Sequence, residues 1–303
     1  MVYDGSTDKA DGREPMTHPI TGKIASRLRD IVVDPEVEKK IDGIPNRLSE
    51  SGYDAWGFNP EYAKWSLSVV KILYEKWFRV ETFGIENIPR KGRMLLVGNH
   101  SGQLPLDGVM VGAALALEAK PPRATRALIE KWFPTLPVVS EFMARCGQVV
   151  GTPANCVKLL ENDEVILVFP EGVGGSGKLV WNRYRLQKFG YGFMRLALRT
   201  GTPIVPVAII GGEETYPAVY NWKLIARLAA FPYFPITPTF PFLGPLGLIP
   251  FPAKFRIFFD EPILFEGDPD APDAVLQEKV DIVRSAIQKM LHFGLETRTG
   301  IFR

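Results

Sequence analysis

An apolar run, Met94 to Val97, breaks into the turn Gly98-Asn99-His100-Ser101-Gly102, and a carboxylate, Asp107, follows seven positions after the histidine. The chain has three histidines. His18 lies in a polar N-terminal stretch and His292 near the C-terminus, so His100 alone stands where a strand would deliver a side chain to a site. Imidazole titrates near neutrality, and beside a carboxylate it is the usual group for taking a proton from a hydroxyl. The other reading of the same residues is a histidine that caps the turn or bonds to backbone.

The elements that must hold this pair follow from periodicity. Arg93–Val97, Glu164–Phe169, Ile204–Ile210 and Phe255–Phe259 read as short buried strands. Between them, 105–118 reads as a helix with proline in its first turn, Phe189–Thr200 as a helix closed by Gly201, and 271–291 as a last helix. Strands alternating with helices predict an α/β fold with a mostly parallel central sheet flanked by helices, and ligands at the carboxyl ends of the strands. His100 and Glu171 both fall at such ends.

Two segments stand apart. In 61–78, Tyr62, Trp65, Val69, Ile72, Leu73 and Trp77 recur at helical spacing among lysines, which suits either packing on the domain or the headgroup layer of a membrane. Leu228–Ala253 carries no charged side chain and is rich in proline and phenylalanine. It cannot be a continuous helix, and it reads as a loop over the core or as a contact for lipid or acyl chain.

Composition narrows the function classes. At 303 residues, 46% hydrophobic and 23% charged, the chain can bury a full core. A net charge of +2 gives no bulk case for nucleic-acid binding. Cys146 and Cys156 lack metal-ligand spacing, so no metal or resident cofactor is expected. Residues 1–50 are polar with no apolar leader core, and no run suits a spanning helix. The expected place is the cytoplasm, at the membrane periphery.

With these pieces in order, the chain resembles the glycerolipid and lysophospholipid (PlsC-like) acyltransferase superfamily over roughly residues 80–265. Four blocks carry the likeness: Asn99-His100 with a following acid; Arg145-Cys146-Gly147-Gln148-Val149-Val150; Val168-Phe169-Pro170-Glu171-Gly172; and Ile204-Val205-Pro206-Val207-Ala208. The resemblance implies acyl transfer from a thioester co-substrate, acyl-CoA or acyl carrier protein, to a lipid hydroxyl. His100 would be the general base and Asp107 its orienting acid. Asn99, Ser101, Phe169, Pro170, Glu171, Gly172 and Lys178 would contact substrate. The implied division is a flexible polar arm at 1–50, an amphipathic interface helix at 51–79 and the acyltransferase domain at 80–303, with 228–253 as its membrane or acyl-chain segment.

The chain departs from the family pattern in three places. Six residues, not four, separate His100 from Asp107, and we read Ser101–Leu104 as an enlarged loop with the acid in the first turn of the next helix. No basic residue occupies Val150–Pro153, and Val173-Gly174 follows Gly172 where an arginine is common. Two phosphate contacts are thus missing together, which points to a neutral glyceride or long-chain alcohol as acceptor; Lys178, Arg183 and Arg185 are the available substitutes. The alternatives are a 1-acylglycerol-3-phosphate acyltransferase, a thioesterase, or a non-catalytic lipid-binding module. Gly172–Lys178 has the glycine and lysine spacing of a phosphate-binding loop, but Leu179 stands where a magnesium-binding hydroxyl is required. Neither Ser101 nor Ser176 sits in a Gly-x-Ser-x-Gly elbow.

Overall fold

A computed structural model of the chain describes residues 29, 31–45, 48–129, 139–228 and 231–303. Helices α1 (Pro35–Asp42) and α2 (Pro60–Ile72), the latter continued by a wider π-helical turn at Leu73–Trp77, precede the sheet. Then come β1 (Glu81–Phe83), β2 (Met94–Gly98), α3 (Leu106–Leu117), β3 (Arg126–Ile129), α4 (Val139–Arg145), β4 (Val149–Val150), α5 (Pro153–Glu161) and β5 (Val165–Val168). The second half holds α6 (Gly192–Thr200), β6 (Ile204–Ile210), β7 (Tyr220–Asn221), α7 (Lys223–Leu228), β8 (Pro235–Ile236), β9 (Arg256–Phe259) and α8 (Asp273–Glu296).

The seven-stranded sheet runs in the order β1-β9-β6-β2-β5-β3-β4. Every pairing is parallel except β6 with β9. The central strands are buried along their whole length, which is why they read as continuous apolar runs. Their side chains alternate between two cores: Met94, Leu96, Val205 and Val207 face one, and Leu95, Val97, Ile204 and Ala208 the other. The first core is closed by α3, which is buried at Met110, Val111 and Ala113–Leu117. The second is closed largely by α6 and by α8, whose Leu276, Val280, Val283, Ile287 and Leu291 form one apolar stripe. Gly201 ends α6 in the left-handed conformation (φ 59°), as its position predicts.

Most of the arm expected at 1–50 lies outside the described residues, but the part that is described is not loose. Val33, Val37, Ile41 and Ile44 recur on one face and are buried. Asp34 caps α1 by accepting the Glu36 and Val37 amides, and pairs with Lys71 of α2 at 2.8 Å. Lys40 Nζ donates to the Leu117 carbonyl at the end of α3 (2.7 Å). The α1 residues are too polar on average to stand out in a composition reading, and their apolar stripe emerges only against α2 and α3.

The amphipathic helix forms as expected, with Ala63, Leu67 and Val70, and Leu73 of the π-helical turn, packed on the first core. Lys64 and Ser68 are buried against α1, whereas Val69 and Ile72 are exposed. Acids in and just before α1, with Glu61, pair with Lys64 and Lys71, and Val69 and Ile72 are left facing solvent.

Candidate active site

β2 delivers His100 just beyond its carboxyl end, and α3 starts six residues later with Asp107 in its first turn. The His100 Nδ1 and Asp107 Oδ2 atoms are 2.6 Å apart. The lengthened spacing therefore keeps the pair: the extra residues form the loop 101–105, and the first helical turn brings the carboxylate back to the ring. Asp107 is fully buried and also accepts the amides of Ser101 (2.8 Å) and Gly108 (2.8 Å). With Nδ1 engaged, Nε2 is the nitrogen left for a substrate. Burial pulls the imidazole pKa down, but the charge and hydrogen bond of Asp107, joined by the charge of Glu171, outweigh that pull, and the ring sits above its ordinary value; Lys178 subtracts a little.

The Phe169-Pro170-Glu171-Gly172 block, just past β5, braces the histidine. The Phe169 ring stacks on the imidazole at 4.4 Å and 9°. A Cβ at Gly98 would stand 3.3 Å from this ring and one at Gly108 3.5 Å, so small residues on both sides make room for the phenyl. Glu171 Oε1 accepts the His100 amide (2.9 Å) and Oε2 the Gln187 amide (2.7 Å). Both carboxylate oxygens of Glu171 thus join the histidine loop to the chain before α6. Pro170 accepts the Gly190 amide through its carbonyl, and Gly172 takes a positive φ (54°) at the turn. Gly175 is in close contact with the site: a Cβ there would lie 2.7 Å from both the His100 and the Glu171 Cβ atoms.

The remaining expected contacts are placed as follows. Asn99 is fully buried, donating to the Ile209 carbonyl (3.0 Å) and accepting its amide (2.7 Å), which stitches β2 to β6. Ser101 is fully buried, with its Oγ where a Cβ on Gly212 would sit (2.3 Å). Lys178 is buried between carboxylates, with Nζ 2.8 Å from Glu213 and 3.5 Å from Glu171. That charge is already neutralised, which also removes the lysine a nucleotide-binding loop would need. Arg183 and Arg185 are exposed. Among the described residues no group of three His, Cys, Asp or Glu side chains could hold a metal.

Four site residues were not picked out from the sequence: Glu213, Gly175, Gln187 and Tyr233. Glu213 follows β6 and is buried beside Lys178; burial pushes its carboxyl up to about 7 against the opposing pull of that lysine. An acid at the carboxyl end of a strand, in Gly211-Gly212-Glu213-Glu214, was the available signal. Tyr233 arrives from the apolar segment and donates to the Gln103 carbonyl at 2.9 Å.

The segment after α7 is neither helix nor buried loop throughout. β8 pairs antiparallel with β7, and beyond it Phe242, Leu243, Leu246, Leu248 and Ile249 are exposed. Trp77 Nε1 donates to the Pro250 carbonyl (3.1 Å), so the end of the amphipathic helix adjoins this apolar surface. No described helix is long and apolar enough to cross a membrane.

The Acyltransferase family model matches residues 79–210. An uncharacterized protein of Mycobacterium tuberculosis, Rv0502, is 44% identical over 254 residues, which span 82% of this chain and 71% of that protein. A human protein named as a DGAT1/2-independent enzyme synthesizing storage lipids is 22% identical over 221 residues, spanning 71% of this chain and 61% of its own. The crystal structure of the 1-acyl-sn-glycerophosphate acyltransferase PlsC from Thermotoga maritima superposes with a TM-score of 0.50 at 18% identity, covering 78% of this chain and 83% of that one, and so shares the fold. From the family match and the near relatives, the chain belongs to the acyltransferase family, shares the fold of PlsC and is an O-acyltransferase.

Proposed function

We propose that the protein moves a fatty acyl group from acyl-CoA or acyl carrier protein to the hydroxyl of a neutral glyceride or long-chain alcohol, with His100 as general base. His100 Nε2 takes the proton of the acceptor hydroxyl as its oxygen attacks the thioester carbonyl. A C–O bond forms, the tetrahedral intermediate collapses, the C–S bond breaks, and the departing thiolate recovers the proton from the imidazolium. Asp107 holds the ring in the tautomer that leaves Nε2 free and stabilises the charged ring. In the 98–103 turn the His100 and Ser101 amides are taken by Glu171 and Asp107, and the remaining main-chain amides of the turn are the candidate oxyanion donors. The observation that carries the reading is the 2.6 Å contact that ties Nδ1 to a buried carboxylate.

A neutral acceptor is supported by the state of Lys178, whose charge is spent on Glu213 and Glu171. The name of the human relative, which concerns storage lipids, points the same way. The test is a radiolabelled acyl-CoA assay against mono- and diacylglycerol, fatty alcohol, glycerol-3-phosphate and lysophosphatidate. Product from the neutral acceptors is expected; label passing only to the phosphorylated ones would overturn the acceptor assignment and leave the reaction class standing.

The base must be unprotonated to work. Because its pKa is raised from 6.5, kcat/KM is expected to fall as pH drops through a value above 6.5. Asp107→Asn removes the stabilising charge and should move that acid limb to lower pH while depressing the plateau. A pH series on both proteins checks the direction.

The reaction is proposed to take place at a membrane surface. The exposed apolar residues at 242–249, with Trp77 beside them and no charged side chain from 231 to 253, form the surface that meets lipid. Leu243→Asp with Leu246→Asp is expected to weaken vesicle co-sedimentation by about 10²-fold, since each leucine withdrawn from water contributes roughly 1.5–3 kcal/mol. Unchanged sedimentation would remove this surface from the proposal.

A further inference from the structure

The loop that restores the His100–Asp107 pair is longer than the family pattern by two residues, and every added residue raises the entropic cost of holding one conformation. Something must hold it. Gln103, at its centre, is buried and held from two sides. Its side-chain Nε2 donates to the Lys178 carbonyl at 2.9 Å, and its main-chain carbonyl accepts the Tyr233 hydroxyl at 2.9 Å. The Tyr233 ring packs on Gly177, where a Cβ would stand 3.1 Å from Tyr233 Cδ1. A residue 130 positions away in sequence therefore bridges the catalytic loop and the glycine turn that braces His100.

We propose that Tyr233 is a positioning residue, whose hydroxyl pins the enlarged 101–105 loop and so keeps Asp107 against His100. The assignment rests on His100 being the working base, but its test does not need turnover. The His100 ring is stacked on Phe169, and the groups charged around it are Asp107 at the start of α3, Glu171 past β5 and Lys178 beyond the glycine turn. None of these changes in Tyr233→Phe, which removes one oxygen and keeps the ring. Loosening the loop lengthens the ion pair and lets the imidazole pKa fall.

The experiment titrates the His100 ring by NMR in the full chain for wild type, Tyr233→Phe and Tyr216→Phe. Tyr216 supplies the matched control: its hydroxyl also bonds a main-chain carbonyl, that of Leu248, in the same part of the fold but away from the dyad. The expected result is a lower His100 pKa in Tyr233→Phe alone, together with a kcat/KM reduced about 2–10-fold, the range of one hydrogen bond, and an unchanged KM for the acyl donor. A His100 titration identical to wild type, or an equal fall in both variants, would overturn the proposal. Should Tyr233→Phe not fold, Tyr233→Met, which also removes the hydroxyl while filling part of the space of the ring, is expected to lower the same pKa, and no change there overturns it equally. Loss of acyl transfer in the wild type would refute the function above without altering the titration, so the two failures are distinguishable.

Discussion

His100→Ala is expected to lower kcat by about 10²–10⁴-fold, the usual worth of a positioned general base, with KM for the acyl donor little changed. Neither carboxylate beside the ring stands ready to replace it: Asp107 is buried behind the ring, and both oxygens of Glu171 are held by main-chain amides. The fold should survive. Asp107 keeps its bonds from the Ser101 and Gly108 amides when the imidazole goes, so the buried carboxylate is not left bare. The cost of losing the third bond is about 1–3 kcal/mol, a fraction of the stability of a domain this size. Circular dichroism and a thermal melt establish folding, and the radiolabel assay reads turnover. A folded His100→Ala protein that still transfers acyl groups at the wild-type rate would place catalysis elsewhere.

The second large effect is expected from one methyl group. Gly175→Ala places a Cβ 2.7 Å from the Cβ atoms of both His100 and Glu171, a separation real Cβ atoms do not adopt. These are the roots of the two side chains, not flexible ends, so the glycine turn or the histidine loop must shift. Overpacking of this kind costs about 1–3 kcal/mol, and a misplacement near 1 Å at a catalytic group costs roughly 10²-fold in rate. We therefore expect a folded but destabilised protein with kcat about 10²-fold lower. Gly174→Ala, one residue earlier, is the control: a Cβ there meets nothing within 4 Å, and its activity should stay near wild type. Equal activity in the two variants would mean that the close approach of Gly175 to His100 is not needed.

These expectations differ in how far they could be read from the linear chain. The His100–Asp107 pair was legible because it is local: a strand, a turn and the first turn of a helix lie within fourteen residues, and the hydrophobic pattern marks all three. The same holds for the central strands, whose apolar runs match β2, β5 and β6 within a residue or two. The α1 helix was missed because its apolar stripe is sparse among charges, and only the partners it meets on α2 and α3 make it a packed element.

Residue types and order alone determined the acyltransferase family, through four blocks in sequence between 80 and 265, together with the α/β architecture and the nearness of His100 to Asp107, since each motif and element is a pattern shorter than one strand-turn-helix unit. Tertiary structure decided what every other polar group does. Glu171 reaches back 71 positions to the His100 amide, Asn99 reaches forward 110 to Ile209, and Tyr233 closes on Gln103 across 130. Such partnerships follow from the sheet order β6-β2-β5, which sets strands distant in the chain side by side. Local spacing carries no record of that order, because it is chosen by burial summed over the whole core and not by any one segment.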